Sequence, residues 1–348
     1  VKSSQKEAFI KELGSDVEYF TIGTTSSQRT LNIKYGIDKS ISLDIDRERD
    51  IWFKTSYLFD SIQPGKELAT ERYNNYAKQV LDFKFPEHFT GKYELPSERK
   101  FNAAIIRETG SNGDREMAWA LYMAGFNVRD VHVTDLVSGR ETLDDVNLIA
   151  FVGGFSNADT LGSAKGWAGA LLYNDKAREA INRFYSRKDT LSLGVCNGCQ
   201  LMAELGLITP ENREISPKMK HNDSHKYESA FVGVTVQDSP SVLLSSLKGS
   251  KLGIWVSHGE GKFSFPNPLD QYNIALRYNY NAYPANPNGS PEGVAGVCSP
   301  DGRHLAMMPH PERCLRPWNW AYYLEREDDQ VSPWIELFIN GRKWLEQR

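Results

Sequence analysis

The chain has 348 residues, 40% of them hydrophobic and 25% charged, with a formal net charge of −4. That length predicts roughly two domains, each able to bury its own core. The charge offers no electrostatic footprint for nucleic acid or an anionic membrane, and no apolar run reaches the ~18 residues that a bilayer span needs.

Four cysteines are too few for a disulfide scaffold and predict a reducing, cytoplasmic setting. The opening "VKSSQKEAF" has no apolar h-region, so no secretory signal is expected. It also lacks an initiator Met, which predicts a processed chain or a piece of something longer.

Residues 1–98 are polar and charged. The alternation in "KSISLDID" (Lys39 to Asp46) predicts a half-buried strand. "RERDIWFKTSYLFDSI" (Arg47 to Ile62) predicts a helix with Ile51, Tyr57, Leu58 and Ile62 on one face. From Gln63 to Lys100, charge, aromatics and Pro64, Pro86 and Pro96 predict a partly extended connector. The first 98 residues thus form a smaller α+β or extended segment ahead of a domain over 99–348.

From Phe101 onward, short apolar runs alternate with helical patterns. Strands are predicted at 101–107, 127–133, 146–154 and 190–195. Helices are predicted at 113–125, over a long stretch from Trp167 to Arg187, and after Cys196. Strands alternating with helices predict an α/β fold, a mostly parallel sheet with helices on both faces. Beyond Glu228 the pattern is richer in strands, and a helix over Ser332 to Leu345 closes the chain.

Cys196 and Cys199 stand in a C-x-x-C that admits several readings. His221 and His225 could complete a zinc site, but residues 200–220 separate them from Cys199, more than a finger uses. A redox pair at a helix N-terminus is a second reading, and two buried structural thiols a third. The glycines favour a fourth. Gly194-Val195-Cys196-Asn197-Gly198 is the thiol form of a nucleophile elbow, a sharp strand-to-helix turn that needs tiny residues on both sides. Such a turn aims the N–H of Asn197 at an oxygen that becomes negative during attack. On this reading Cys199 only packs.

A cysteine that transfers acyl groups needs a base and a group that orients it. "AMMPHPERC" offers His310 and Glu312, and in an extended segment positions i and i+2 point to one side. Pro309 and Pro311 hold the flanks. In "FVGGFSNAD", Gly153 and Gly154 could leave N–H groups bare toward the site, or simply form a turn. "SHGEG" adds His258 and Glu260, for which a role in structure or at a ligand's edge is as good as catalysis.

Taken together, "LGVCNGCQ", "GGFS", "SHGEG", "YPANPNGSPEG" and "MMPHPER" resemble the C-terminal glutaminase of the large formylglycinamide ribonucleotide amidotransferases, the phosphoribosylformylglycinamidine synthases. These are class I amidotransferases with a catalytic triad. The resemblance runs from about Phe101 to the C-terminus. It implies Cys196 as nucleophile, His310 as general base and acid, and Glu312 as its orienter. It further implies Gly154 and Asn197 as oxyanion donors, with Phe155, Gln200, Asn222 and Ser224 holding glutamine. One departure is Asn157-Ala158, where an aromatic or glycine-bearing turn is expected.

The resemblance also implies no metal or cofactor in this portion, and ATP and Mg in a synthetase portion of the same full-length chain. "RDIWFKTSYLFDSIQ" resembles the last helix of that portion, and no G-x-x-x-x-G-K-[ST] phosphate cradle is present. The expected partners are therefore glutamine and the synthetase domains. Two rivals stand beside this reading: a cysteine hydrolase of another amide, and a silent domain kept as a scaffold.

Overall fold

The computed structural model describes residues 1–210 and 212–348. They form two compact units, Val1–Ser56 and Tyr57–Arg348.

In the first unit, α1 (Lys6–Leu13) precedes a hairpin of β1 (Thr30–Tyr35) and β2 (Lys39–Asp44). The hairpin is antiparallel, with Tyr35 opposite Lys39, and Gly36 supplies the left-handed φ of 64° that its turn requires. Helix α2 (Ile45–Asp60) starts directly after β2 and runs across the boundary between the units. It begins and ends two residues earlier than its sequence pattern predicts, and it buries no residue. The apolar positions Ile51 and Leu58 of the predicted face are exposed.

The second unit opens with α3 (Lys66–Asn75), inside the stretch predicted as a connector. That stretch is part of the core. Phe83 and Phe89 are buried, Lys84 exchanges backbone hydrogen bonds with Lys251, and Phe83 meets Trp320 edge-on at 5.3 Å. Aromatic burial, which periodicity does not reveal, draws the segment in.

Then follow β3 (Phe101–Arg107), α4 (Asp114–Met123), β4 (Phe126–His132), α5 (Val133–Ser138) and β5 (Leu148–Phe151). The single long helix predicted next is two: α6 (Lys165–Leu172) and α7 (Asp175–Ser186). Asn174 makes the break, because its side chain accepts from Ala177 N at 3.0 Å and caps α7. After β6 (Leu191–Val195) and α8 (Asn197–Glu204) come β7 (Lys218–Lys220), β8 (Glu228–Val236), β9 (Lys251–His258) and β10 (Lys262–Ser264). The chain finishes with β11 (Asn273–Tyr278), β12 (Val294–Cys298), β13 (His304–Met307) and α9 (Ile335–Glu346).

Nine strands form one sheet in the order β4-β3-β5-β6-β13-β12-β11-β8-β9. The five from β4 to β13 are mutually parallel, and the remaining neighbours pair antiparallel. This is the predicted α/β class with a mixed sheet. Strands β5, β6, β12 and β13 are buried at every residue, as continuous apolar runs at the middle of a covered sheet should be. Strand β13 lies parallel to β6 with Met307 opposite Val195. The residues that follow both strands therefore emerge side by side at their C-terminal ends, where open α/β sheets place their sites.

Candidate active site

Cys196 is the residue between β6 and α8, and its backbone is strained. Its φ of 52° and ψ of −107° are values that side chains avoid. The fold permits them because the flanking glycines let two backbones touch. A Cβ at Gly194 would lie 2.6 Å from Gly198 O, and one at Gly198 would lie 2.0 Å from Phe151 O. Cys196 N donates to Met307 O at 2.9 Å, which ties the turn to the end of β13. The thiol is buried, and Sγ donates to the carbonyl oxygen of Ser257 on β9 at 3.3 Å.

His310 follows β13 after two residues. Its Nδ1 lies 2.7 Å from Glu312 Oε1, and both side chains are at least 98% buried. Its backbone N donates to Trp255 O of β9 at 2.9 Å. Strand β9 ends the sheet order yet touches the end of β13, so the antiparallel half curls back over the site. A Cβ at Gly153 would lie 2.9 Å from His310 Cε1 and 3.4 Å from Cys196 Cβ; the imidazole and the cysteine thus flank a single glycine. Among the described residues Nε2 of His310 has no hydrogen-bond partner. Burial alone would pull this histidine's pKa down, but the Glu312 carboxylate and Cys196 outweigh it and raise it to about 10. His258, also buried, is held down at about 3, first by burial and then by His310, and is neutral.

Gly154 has a φ of 120°, and a Cβ there would lie 2.5 Å from Ser111 Cα, so only glycine fits. Its neighbours are pinned: Gly153 O accepts from Asn112 N and Phe155 N donates to Gly110 O, each at 2.9 Å. The N–H groups of Gly154 and Asn197 have no acceptor among the described residues. Gly154, Phe155, Cys196 and Gln200 line a cleft of about 250 Å³ with His221, His225, Ser257 and Glu260. Phe155 and Tyr227, ring centroids 5.8 Å apart, stand at its mouth and are about half exposed.

The sequence profile of the CobB/CobQ-like glutamine amidotransferase domain matches residues 100–345. The chain belongs to that family. It is 43% identical over 326 residues to the human phosphoribosylformylglycinamidine synthase, covering 85% of this chain and 24% of that one. A probable chloroplastic or mitochondrial phosphoribosylformylglycinamidine synthase of Arabidopsis thaliana is 40% identical over 372 aligned positions, covering 99% and 26%. The chain thus spans about a quarter of the length of these relatives. Among solved structures, a chain in the structure of PurLQS from Thermotoga maritima matches with TM-score 0.56 and 27% identity, over 71% of this chain and 99% of that one. The family profile begins at residue 100, next to the boundary predicted at 98/99, whereas the compact unit begins at Tyr57.

Within this glutamine amidotransferase domain, of the other residues expected to hold glutamine, Gln200 is in the cleft lining, and Asn222 and Ser224 are outside it. Gln200 lines the cleft, but its amide is committed at both ends: Oε1 accepts from Asn197 Nδ2 at 2.9 Å and Nε2 donates to Glu260 O at 2.8 Å. Asn222 is fully buried and spends its side chain on the carbonyls of His258 and Lys226 and the N–H of Gly261. Ser224 lines a neighbouring cavity of about 290 Å³ with Tyr283 and Asn286. Loop 221–227 faces both cavities, and a one-residue step moves a side chain from one to the other.

His221 and His225, considered above only for zinc, line the amidotransferase cleft, as do Asp159 and Glu260. Among the described residues no group of three or more His, Cys, Asp or Glu side chains is arranged to hold a metal. All four cysteines are free. Cys199 points into the core, where burial pushes its thiol well above the ordinary range, so it stays protonated and unreactive. No helix among the described residues is long and apolar enough to cross a membrane.

Proposed function

We propose that the chain hydrolyses glutamine as the amidotransferase portion of a phosphoribosylformylglycinamidine synthase. The observation that carries this is the buried His310–Glu312 pair at 2.7 Å, beside a cysteine held in a left-handed turn at the edge of a cleft.

Cys196, as thiolate, attacks the side-chain carbonyl carbon of glutamine. The oxygen that becomes negative lies between the N–H groups of Asn197 and Gly154, and loss of one such donor costs ~10²–10³ in rate. His310, whose raised pKa keeps it protonated near neutrality, gives its proton to the departing ammonia. It then takes a proton from water, which attacks the γ-glutamyl thioester and releases glutamate. Glu312 fixes the ring and balances its charge.

In the longer protein the ammonia would serve an ATP- and Mg-dependent synthetase portion, which converts formylglycinamide ribonucleotide to the amidine in purine biosynthesis. The synthetase domains of the same chain are the proposed partners, and the reduced cysteines suit a cytoplasmic setting.

Glutamate release from glutamine, with and without that synthetase portion, ATP and formylglycinamide ribonucleotide, tests the proposal. Turnover should vanish in Cys196→Ala. Residual turnover in that variant, or silence of the completed enzyme, would refute it.

A further inference from the structure

The cavity of about 290 Å³ that shares loop 221–227 with the cleft is lined for a positive ion. Ser224 and Asn286 line it and are buried, at 1% and 3% exposed. Ser224 Oγ and Asn286 Oδ1 are shielded from solvent and have no hydrogen-bond partner among the described residues. The amide of Asn286 cannot be turned round. Its Nδ2 already donates to Ser290 O at 2.9 Å and to Asn281 Oδ1 at 3.2 Å, so the free end is the oxygen. A buried polar atom without a partner is unfavourable and calls for an occupant.

Three carboxylates line the same cavity: Glu71, Asp223 and Glu292. Two are balanced, Asp223 by Lys262 at 2.7 Å and Glu292 by Arg277 at 3.0 Å. Glu71, on α3, has no ion-pair partner among the described residues, and no described Lys, Arg or His lines the cavity. One negative charge and two neutral oxygens are left over. Water would satisfy the oxygens but not the charge. A divalent ion wants several carboxylates or an octahedral shell, and no three described acidic, His or Cys side chains are arranged to hold one. A monovalent cation answers both the charge and the oxygens, which stand in for its hydration shell as carbonyls do in a potassium filter.

We infer that this cavity binds a monovalent cation the size of potassium through Glu71, Ser224 Oγ and Asn286 Oδ1, and that the bound ion fixes loop 221–227 and with it the affinity for glutamine. The loop carries the coupling. Asp223 and Ser224 line the ion cavity, whereas His221, His225, Lys226 and Tyr227 line the cleft. His225, directly after Ser224, holds a left-handed φ of 53°, so one tight turn joins the two faces. The coupling rests on the amidotransferase reading above; the ion site does not.

Thermal melts of the 348-residue chain are compared in potassium chloride and choline chloride at equal ionic strength. Potassium should raise the melting temperature saturably, as a ligand that binds the native state alone does. Ser224→Ala and Glu71→Gln should each weaken the apparent potassium affinity about 10-fold or more. In choline chloride Ser224→Ala should melt with the unmutated chain, because its Oγ has no partner to lose. Coincident melts in the two salts, or a potassium response unchanged in both variants, would overturn the site; a melt raised by magnesium chloride alone would do the same. Calorimetric titration of Cys196→Ala with glutamine reads the coupling. Glutamine should bind about 5-fold or more tightly in potassium than in choline chloride, and adding Ser224→Ala should erase the difference. Equal affinity in both salts would overturn the coupling. If glutamine is neither bound nor hydrolysed in either salt, even with the synthetase portion added, the amidotransferase reading fails, and the melts still decide the ion site.

Discussion

Asn157, Ala158 and Asp159 hold φ of 53°, 53° and 50° in succession. A left-handed conformation costs a residue with a Cβ about 1–2 kcal/mol. The family resemblance marks this place, since it implies an aromatic or glycine-bearing turn at Asn157-Ala158, and the backbone shows why a glycine would suit it. Ala158→Gly should therefore stabilise the chain by about 0.5–1 kcal/mol in chemical denaturation; a loss of stability would mean that the Ala158 methyl packs more usefully than its backbone suffers. His310 makes a second prediction. Its pKa rises from 6.5 to about 10 on folding, so the native state binds the proton more strongly. The stability this contributes is complete below pH 6.5 and is lost as pH rises through about 10. Between pH 7 and 10 the unmutated chain should lose stability more steeply than Glu312→Gln, and parallel profiles would show that Glu312 does not hold the imidazolium. His310 and Glu312 were legible as an i,i+2 pair between two prolines. Glu71, Ser224 and Asn286 were not legible as a set, because residues so far apart in sequence carry no pattern until the fold brings them to one cavity.

At the level of the element, the turn from β6 to α8 could be read in advance because steric demand leaves a mark on composition. Gly194 and Gly198 are where they are because a Cβ at either would overlap backbone. Gly198→Ala should cost at least about 1–3 kcal/mol, as overpacking does, and should abolish thiol chemistry by displacing α8. A variant with normal stability and alkylation rate at Cys196 would contradict that geometry. The break between α6 and α7 escaped notice for the opposite reason: the apolar spacing continues through it, and only the Asn174 side chain marks it. Its replacement by Ala should lower stability by about 1 kcal/mol, the worth of such a cap. The loop at 221–227 was harder still, since nothing local says which of two cavities each side chain faces.

For the whole molecule, the family boundary and the folding boundary differ. A chain cut to begin at residue 100 would lose Phe83, Phe89 and the Lys84–Lys251 bridge; one cut to begin at Tyr57 would keep them. The shorter fragment should melt several degrees below the longer, and equal melting would show that residues 57–99 add nothing to the core. The sheet order holds a further consequence. Strand β13 is the last strand in the chain, yet it lies between β6 and β12 at the centre. While the protein is being synthesised, the two halves of the sheet have no strand to pair them until residue 307 leaves the ribosome. Pairing over such a separation forms slowly. Cys196 has by then been made for more than a hundred residues without its histidine. The nascent chain thus carries an unfinished site, and the final strand both closes the fold and arms the thiol.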